Sequence, residues 1–140
     1  MKAIAIAVLA LGALALPARA ETVNLTADMS ARNEVPPNTS SGSGRADMRL
    51  DTTSGNLNWT INYSGLTGPL TAAHFHGPAA QGANAGVIVP IASSGASAPL
   101  SGMATLSQQQ VADVLAGRWY VNVHTAANPG GEIRGQVVKR

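Results

Sequence analysis

Three histidines are the residues best suited to chemistry in this chain of 140 residues. His74 and His76 stand two apart in TAAHFHGPA, and His124 lies in YVNVHTAANPGG. Side chains two apart on a strand share a face and lie about 6.6 Å apart along it. Imidazoles reaching from there can meet at one ion with metal–nitrogen bonds of about 2.0–2.1 Å. A third imidazole from a neighbouring strand would complete a set that suits Cu(II) or Zn(II). The alternative is that these histidines only hydrogen-bond loop carbonyls.

Other reactive groups are few. The chain contains no cysteine, which excludes thiolate nucleophiles and cysteine-based zinc sites, and its serines lie in no Gly-x-Ser-x-Gly motif. The methionines Met29, Met48 and Met103 could bind Cu(I), but core packing is the favoured interpretation. An enzymatic function would therefore depend on redox or Lewis-acid chemistry of a bound metal. The sequence favours a protein that is not an enzyme.

The first twenty residues, MKAIAIAVLALGALALPARA, are typical of a secretory signal peptide. Residues 21–140 then form one exported domain, periplasmic or secreted, without a lipid or membrane anchor. Without Lys2 and Arg19 the remaining chain carries seven basic and seven acidic residues. It therefore has no basic surplus for nucleic-acid binding. The sequence does not identify a protein partner.

Short alternating apolar segments separated by Gly, Ser, Asn and Pro predict an all-β fold. We expect an antiparallel β-sandwich or open barrel of about eight strands with one short helix. The helix is predicted over residues 107–117, with Ser107 as N-cap, Gln110 completing a capping box and Gly117 at its end. The predicted strands span residues 22–29, 45–51, 57–65, 70–76, 86–92, 98–106, 119–124 and 131–139.

The alternation of side chains along a strand predicts where the histidines point. If Phe75 is buried, then His74 and His76 lie on the opposite face of their strand. If Val121 and Val123 are buried, then His124 also lies opposite the core. Parity alone therefore places all three histidines on the more polar kind of face, although it cannot establish that they are close together.

Three motifs resemble those of the CHRD domain family. They are NEVPP at 33–37, HFHGPA at 74–79 and GRWYVNVHTAANPGGEIRGQ at 117–136. The resemblance implies an extracellular or periplasmic all-β domain in which His74, His76 and His124 occupy the motif histidines. It does not imply an activity. The His-x-His pair is also similar to that of Cu/Zn superoxide dismutases, another group of exported β-sandwiches.

The resulting hypothesis is one copper-preferring site formed by His74, His76 and His124, for periplasmic copper binding or buffering. Copper is favoured because nitrogen sites bind Cu(II) most tightly, but zinc remains open. Glu132, a methionine or water could fill the fourth position, although structural roles are expected for Glu34 and Glu132. The alternatives are an extracellular protein-interaction module without metal and a superoxide-dismutase-like copper redox enzyme.

Overall fold

The computed structural model describes residues 21–140, so the predicted signal peptide at 1–20 lies outside the described residues. Within the described part, nine strands accompany one α-helix and a short 3-10 helix, Ala31–Asn33. The elements are β1 Thr22–Ser30, β2 Ser43–Asp51, β3 Asn56–Ser64, β4 Leu70–His76, β5 Val87–Ser93, β6 Leu100–Thr105, α1 Gln108–Leu115, β7 Tyr120–Thr125, β8 Ile133–Gln136 and β9 Val138–Lys139.

The strands form one antiparallel sheet in the order β5-β4-β7-β8-β1-β2-β3-β6, and β9 pairs with β1. The two end strands, β5 and β6, approach each other, so that the sheet curls into a nearly closed barrel. The all-β prediction is confirmed, and the barrel is the form that the chain adopts. The predicted strand 131–139 is divided into β8, which pairs with β7, and β9, which pairs with β1, and Val137 between them is buried in the core.

The barrel interior is filled by the apolar half of each alternating strand. Trp59 and Phe75 meet edge to face with their ring centroids 5.3 Å apart. Val111 and Val114 of α1 pack against the same core. The predicted capping box is present: Ser107 accepts a hydrogen bond from the Gln110 backbone N–H, and the Gln110 side chain accepts one from the Ser107 N–H. Buried strand residues include Leu25, Ala27, Met29, Met48, Leu50, Leu57, Ile61, Val121, Val123 and Ile133.

The pairing of β4 with β7 positions the histidines. Phe75 pairs with Val121 and points inward, since both side chains are fully buried in the core. The residues on either side of Phe75 and Val121 therefore face outward, with His74 opposite Asn122 and His76 opposite Tyr120. On its other side, β4 pairs irregularly with β5, with breaks in register between 73 and 74 and again between 75 and 76. Pro90 of β5 lies opposite His74.

None of the helices within residues 21–140 has the length and apolar character needed to span a bilayer.

Candidate metal centre

The three histidines converge on the outer face of the barrel. The His74 ring centroid lies 5.0 Å from that of His124 and 5.5 Å from that of His76. One ring nitrogen of each histidine lies within 4.8 Å of the other two. Sequence parity predicted the shared face, and the pairing of β4 with β7 supplies the proximity that parity could not. The arrangement is compatible with binding of one metal ion.

His74 and His124 form the tightest pair in this cluster. His74 Nδ1 lies 3.2 Å from His124 Nε2. Two nitrogens bound at about 2.0–2.1 Å to one ion, at angles of 90–110°, lie roughly 2.9–3.4 Å apart. The observed separation therefore matches two ligands of a single ion, and it also permits a hydrogen bond between the rings in the absence of metal.

A backbone carbonyl fixes the orientation of the His124 ring. His124 Nδ1 lies 2.9 Å from the Pro129 carbonyl oxygen. Because a carbonyl only accepts hydrogen bonds, Nδ1 carries the hydrogen and the lone pair of the neutral ring is on Nε2. That lone pair points to His74. A carbonyl bound to the far nitrogen is the usual support of a metal-binding imidazole.

His76 is held more firmly than the other two histidines. It is 8 % exposed, and its ring stacks parallel to that of Tyr120 with centroids 4.8 Å apart. Its Nδ1 lies 3.0 Å from the carbonyl oxygen of Ala85, and its Nε2 lies 3.0 Å from Asn122 Oδ1. Both ring nitrogens are therefore engaged, so His76 can bind an ion only by exchanging one of these contacts.

Burial favours the neutral form of the His74 and His124 rings. Desolvation lowers the pKa of His74 below 6.5, and the neighbouring rings of His124 and His76 lower it further. Desolvation also lowers the pKa of His124, against the hydrogen bond to Pro129, which raises it. Since a neutral imidazole is the form that coordinates metals, the lowered pKa of both rings favours the form that binds an ion.

The loop between β4 and β5 is fastened over this outer face. Arg134 donates hydrogen bonds to Ala83 O and Asn84 Oδ1, and its guanidinium carbon lies 3.4 Å from the centroid of the Tyr120 ring. The Tyr120 hydroxyl contacts both the N–H and the carbonyl of Ala85. Arg134 is only 2 % exposed. No sequence pattern predicts that this loop covers Arg134, because the contact depends on the path of the loop.

Glu132 has a structural role. Its carboxylate is fully buried and accepts hydrogen bonds from the hydroxyls of Ser40, Thr67 and Thr125 and from the Thr67 N–H. Burial alone raises the pKa of Glu132, but the bonds from Ser40, Thr125 and Thr67 outweigh it and bring the pKa to about 2. Both oxygens are occupied, so neither is free to act as a fourth metal ligand or to pair with an arginine.

The methionines considered as ligands lie elsewhere. Met29 and Met48 are buried in the barrel core, on the face opposite the histidines. Met103 is 63 % exposed on β6. The cluster is therefore formed by nitrogen donors, and the sequence-based suggestion of a methionine ligand gains no support.

Glu34 lies beneath the loop that contacts His124. It is 6 % exposed, and its Oε1 atom has no hydrogen-bond partner. Desolvation raises its pKa to about 7, although Arg134, the Asn122 amide and the Val35 N–H act in the opposite direction. Glu34 packs on Gly131, where a Cβ would come 2.3 Å from Oε1. Gly131 also has a φ of +128°, a conformation that side chains rarely allow.

The sequence model of the CHRD domain matches residues 25–137, a range that contains all three histidines and both buried glutamates. No curated protein and no solved structure gave a significant match. The family match covers most of the chain and agrees with the resemblance of its motifs. This protein belongs to the CHRD domain family.

Proposed function

We propose that this protein binds one metal ion through His74, His76 and His124, prefers copper, and binds or buffers copper in the periplasm or outside the cell. The observation that carries the proposal is the convergence of one ring nitrogen from each histidine within 4.8 Å. CHRD domains are typical of secreted proteins, which is consistent with the signal peptide predicted at residues 1–20.

The donor set supports copper as the preferred metal. The three donors are imidazole nitrogens, and the nearby carboxylate of Glu132 is occupied by hydroxyl groups. Affinities of nitrogen sites for divalent metals rise to a maximum at Cu(II) and fall again at Zn(II). Zinc is the second candidate, since it accepts the same donors with similar bond lengths.

The hydrogen bonds that orient the histidine rings also favour metal binding over a purely structural role for these residues. His124 presents its lone pair to His74 at a separation suited to a shared ion. A protein-interaction module has less support. Among residues 21–140 the exposed large apolar side chains are Val87, Met103 and Val138, which lie on three different strands.

Metal titration of the purified protein tests the proposal. Metal-free protein is titrated with Cu(II) and, separately, with Zn(II), while calorimetry gives the stoichiometry and affinity. We expect one Cu(II) per chain, weaker Zn(II) binding, and a loss of at least about tenfold in Cu(II) affinity in His74→Ala and His124→Ala. Electron paramagnetic resonance should show nitrogen coupling that decreases in these variants.

Met103→Ala is the matched control, because it removes an exposed sulfur that could bind copper outside the cluster. Its affinity should equal that of the wild type. Unchanged Cu(II) affinity in both histidine variants would show that the histidines are structural. A stoichiometric protein partner captured by metal-free protein, together with no copper binding, would favour the interaction-module alternative.

A further inference from the structure

Asn122 stands at the centre of the histidine cluster. It pairs with His74 across β4 and β7 and precedes His124 by two residues on the same face of β7. Its side chain is buried, and its Oδ1 lies 3.0 Å from Nε2 of His76. The Asn122 amide therefore covers Nε2 of His76.

The hydrogen bonds of His76 determine which of its nitrogens could bind an ion. Its Nδ1 lies 3.0 Å from the Ala85 carbonyl oxygen, which only accepts, so Nδ1 carries a hydrogen. In the neutral ring the lone pair is then on Nε2. An ion bound there at about 2.0–2.1 Å would lie in the space before the Asn122 amide, whose Oδ1 is only 3.0 Å from Nε2. The amide and the ion cannot occupy that space together.

We infer that Asn122 limits the affinity of the site by occupying the coordination position of His76 Nε2. This inference rests on the proposed function. His74 and His124 capture the ion first, and His76 becomes the third ligand when the Asn122 side chain moves aside. Because Nε2 of the neutral ring carries no hydrogen and an amide oxygen only accepts, the two residues form a hydrogen bond when the amide is turned by 180° and its N–H donates to Nε2, and this bond competes with the metal. The amide oxygen then faces Glu34, which can donate a hydrogen bond to it in its protonated form.

The direction in which metal affinity changes when the amide is removed distinguishes competition with the ion from a role in holding the His76 ring in place. If the amide only held His76 in place, removing it would weaken metal binding. If the amide occupies the ligand position, removing it strengthens metal binding, by an amount that reflects one hydrogen bond between neutral groups. That amount corresponds to a roughly three- to tenfold lower dissociation constant.

The test measures Cu(II) affinity of the purified protein by competition with a chelator of known affinity. Asn122→Ala removes the amide, and Asn122→Val removes it while filling its volume. Each substitution is made alone and together with His76→Ala. We expect tighter binding in either single variant, no effect of Asn122 substitution when His76 is absent, and the same number of coupled nitrogens at saturation as in the wild type.

Circular dichroism and thermal unfolding identify which variants are folded, and the valine variant serves if alanine leaves a cavity. Unchanged or weaker Cu(II) binding in the folded variants would overturn the inference. Tightening that persists with His76→Ala would also overturn it. If His74→Ala and His124→Ala leave Cu(II) affinity unchanged, the proposed function itself fails. If those variants lose affinity but the Asn122 variants do not gain it, only the inference about Asn122 fails.

Discussion

Replacing Glu132 by glutamine should destabilise the fold by removing hydrogen bonds that its buried carboxylate accepts. The carboxylate ties three separate parts of the chain together, since its partners are Ser40 before β2, Thr67 before β4 and Thr125 at the end of β7. Glu132→Gln keeps the size of the side chain. It replaces one accepting oxygen by an NH₂ group, which cannot accept the bonds that two of these donors make.

The lowered pKa gives the size of the effect. The pKa of Glu132 falls from 4.5 to about 2, because the bonds from hydroxyls and a backbone N–H outweigh the desolvation that raises it. A change of one in pKa corresponds to about 1.4 kcal/mol in the free energy of unfolding. The charged form of Glu132 therefore stabilises the folded state by about 3 kcal/mol at neutral pH, less any screening by solvent near the loops. We expect the melting temperature of Glu132→Gln to fall by about 10 °C at pH 7.

The same reasoning fixes the pH dependence. A group whose pKa is lowered on folding stabilises fully above its unfolded value of 4.5, and this stabilisation disappears as the pH falls from 4.5 towards 2. The difference in free energy of unfolding between wild type and Glu132→Gln should therefore shrink over that range.

Urea unfolding followed by circular dichroism at pH 7, 4.5 and 2.5 measures this difference. Glu21→Gln is the matched control, because Glu21 is an exposed acid at the start of the described chain. It should change the free energy of unfolding little at any of these pH values. A loss below about 0.5 kcal/mol in Glu132→Gln at pH 7 would refute the reasoning, as would a loss that stays constant down to pH 2.5.

Two further predictions concern pH. Desolvation raises the pKa of Glu34 to about 7, so folding disfavours the charged form of this residue. Glu34 therefore leaves the free energy of unfolding unchanged below pH 4.5 and lowers it as the pH rises towards 7. Glu34→Gln should thus be more stable than wild type by at most about 3 kcal/mol at pH 8, less any screening by solvent, but not at pH 4, and parallel unfolding profiles would contradict this. Because desolvation lowers the pKa of His74 and His124, Cu(II) affinity should persist at pH 6.5 and decline only at lower pH. Competition titrations between pH 7.5 and 5 measure this, and half-loss at or above pH 6.5 would contradict it.

Local patterns were sufficient for the orientation of the histidines. The alternation around Phe75 and around Val121 identified the core face of two strands, because the side-chain period of a strand is two residues. The capping residues Ser107 and Gln110 marked the start of α1 for an equally local reason. In both cases the deciding atoms lie within a few residues of one another along the chain.

The remainder of the site depends on distant parts of the chain. Strand order brings β7 beside β4, although His74 and His124 are separated by 50 residues. Asn122 shares the parity of His124, yet its contact with His76 became evident only from the strand register. Arg134 would be read as a solvent-facing strand residue, but a loop covers it almost completely. Such loop paths follow no periodic rule, so sequence patterns do not predict them.

The irregular pairing of β5 has a consequence for self-association. This strand ends the sheet order, and an end strand offers unpaired backbone groups on which another chain could build. Pro90 removes one N–H donor in the middle of β5, and the two breaks in register with β4 bend the strand away from a flat, regular edge. An additional strand docking at this seam would find neither a continuous ladder nor a matching twist. The β5 edge is thus a poor template for fibril growth.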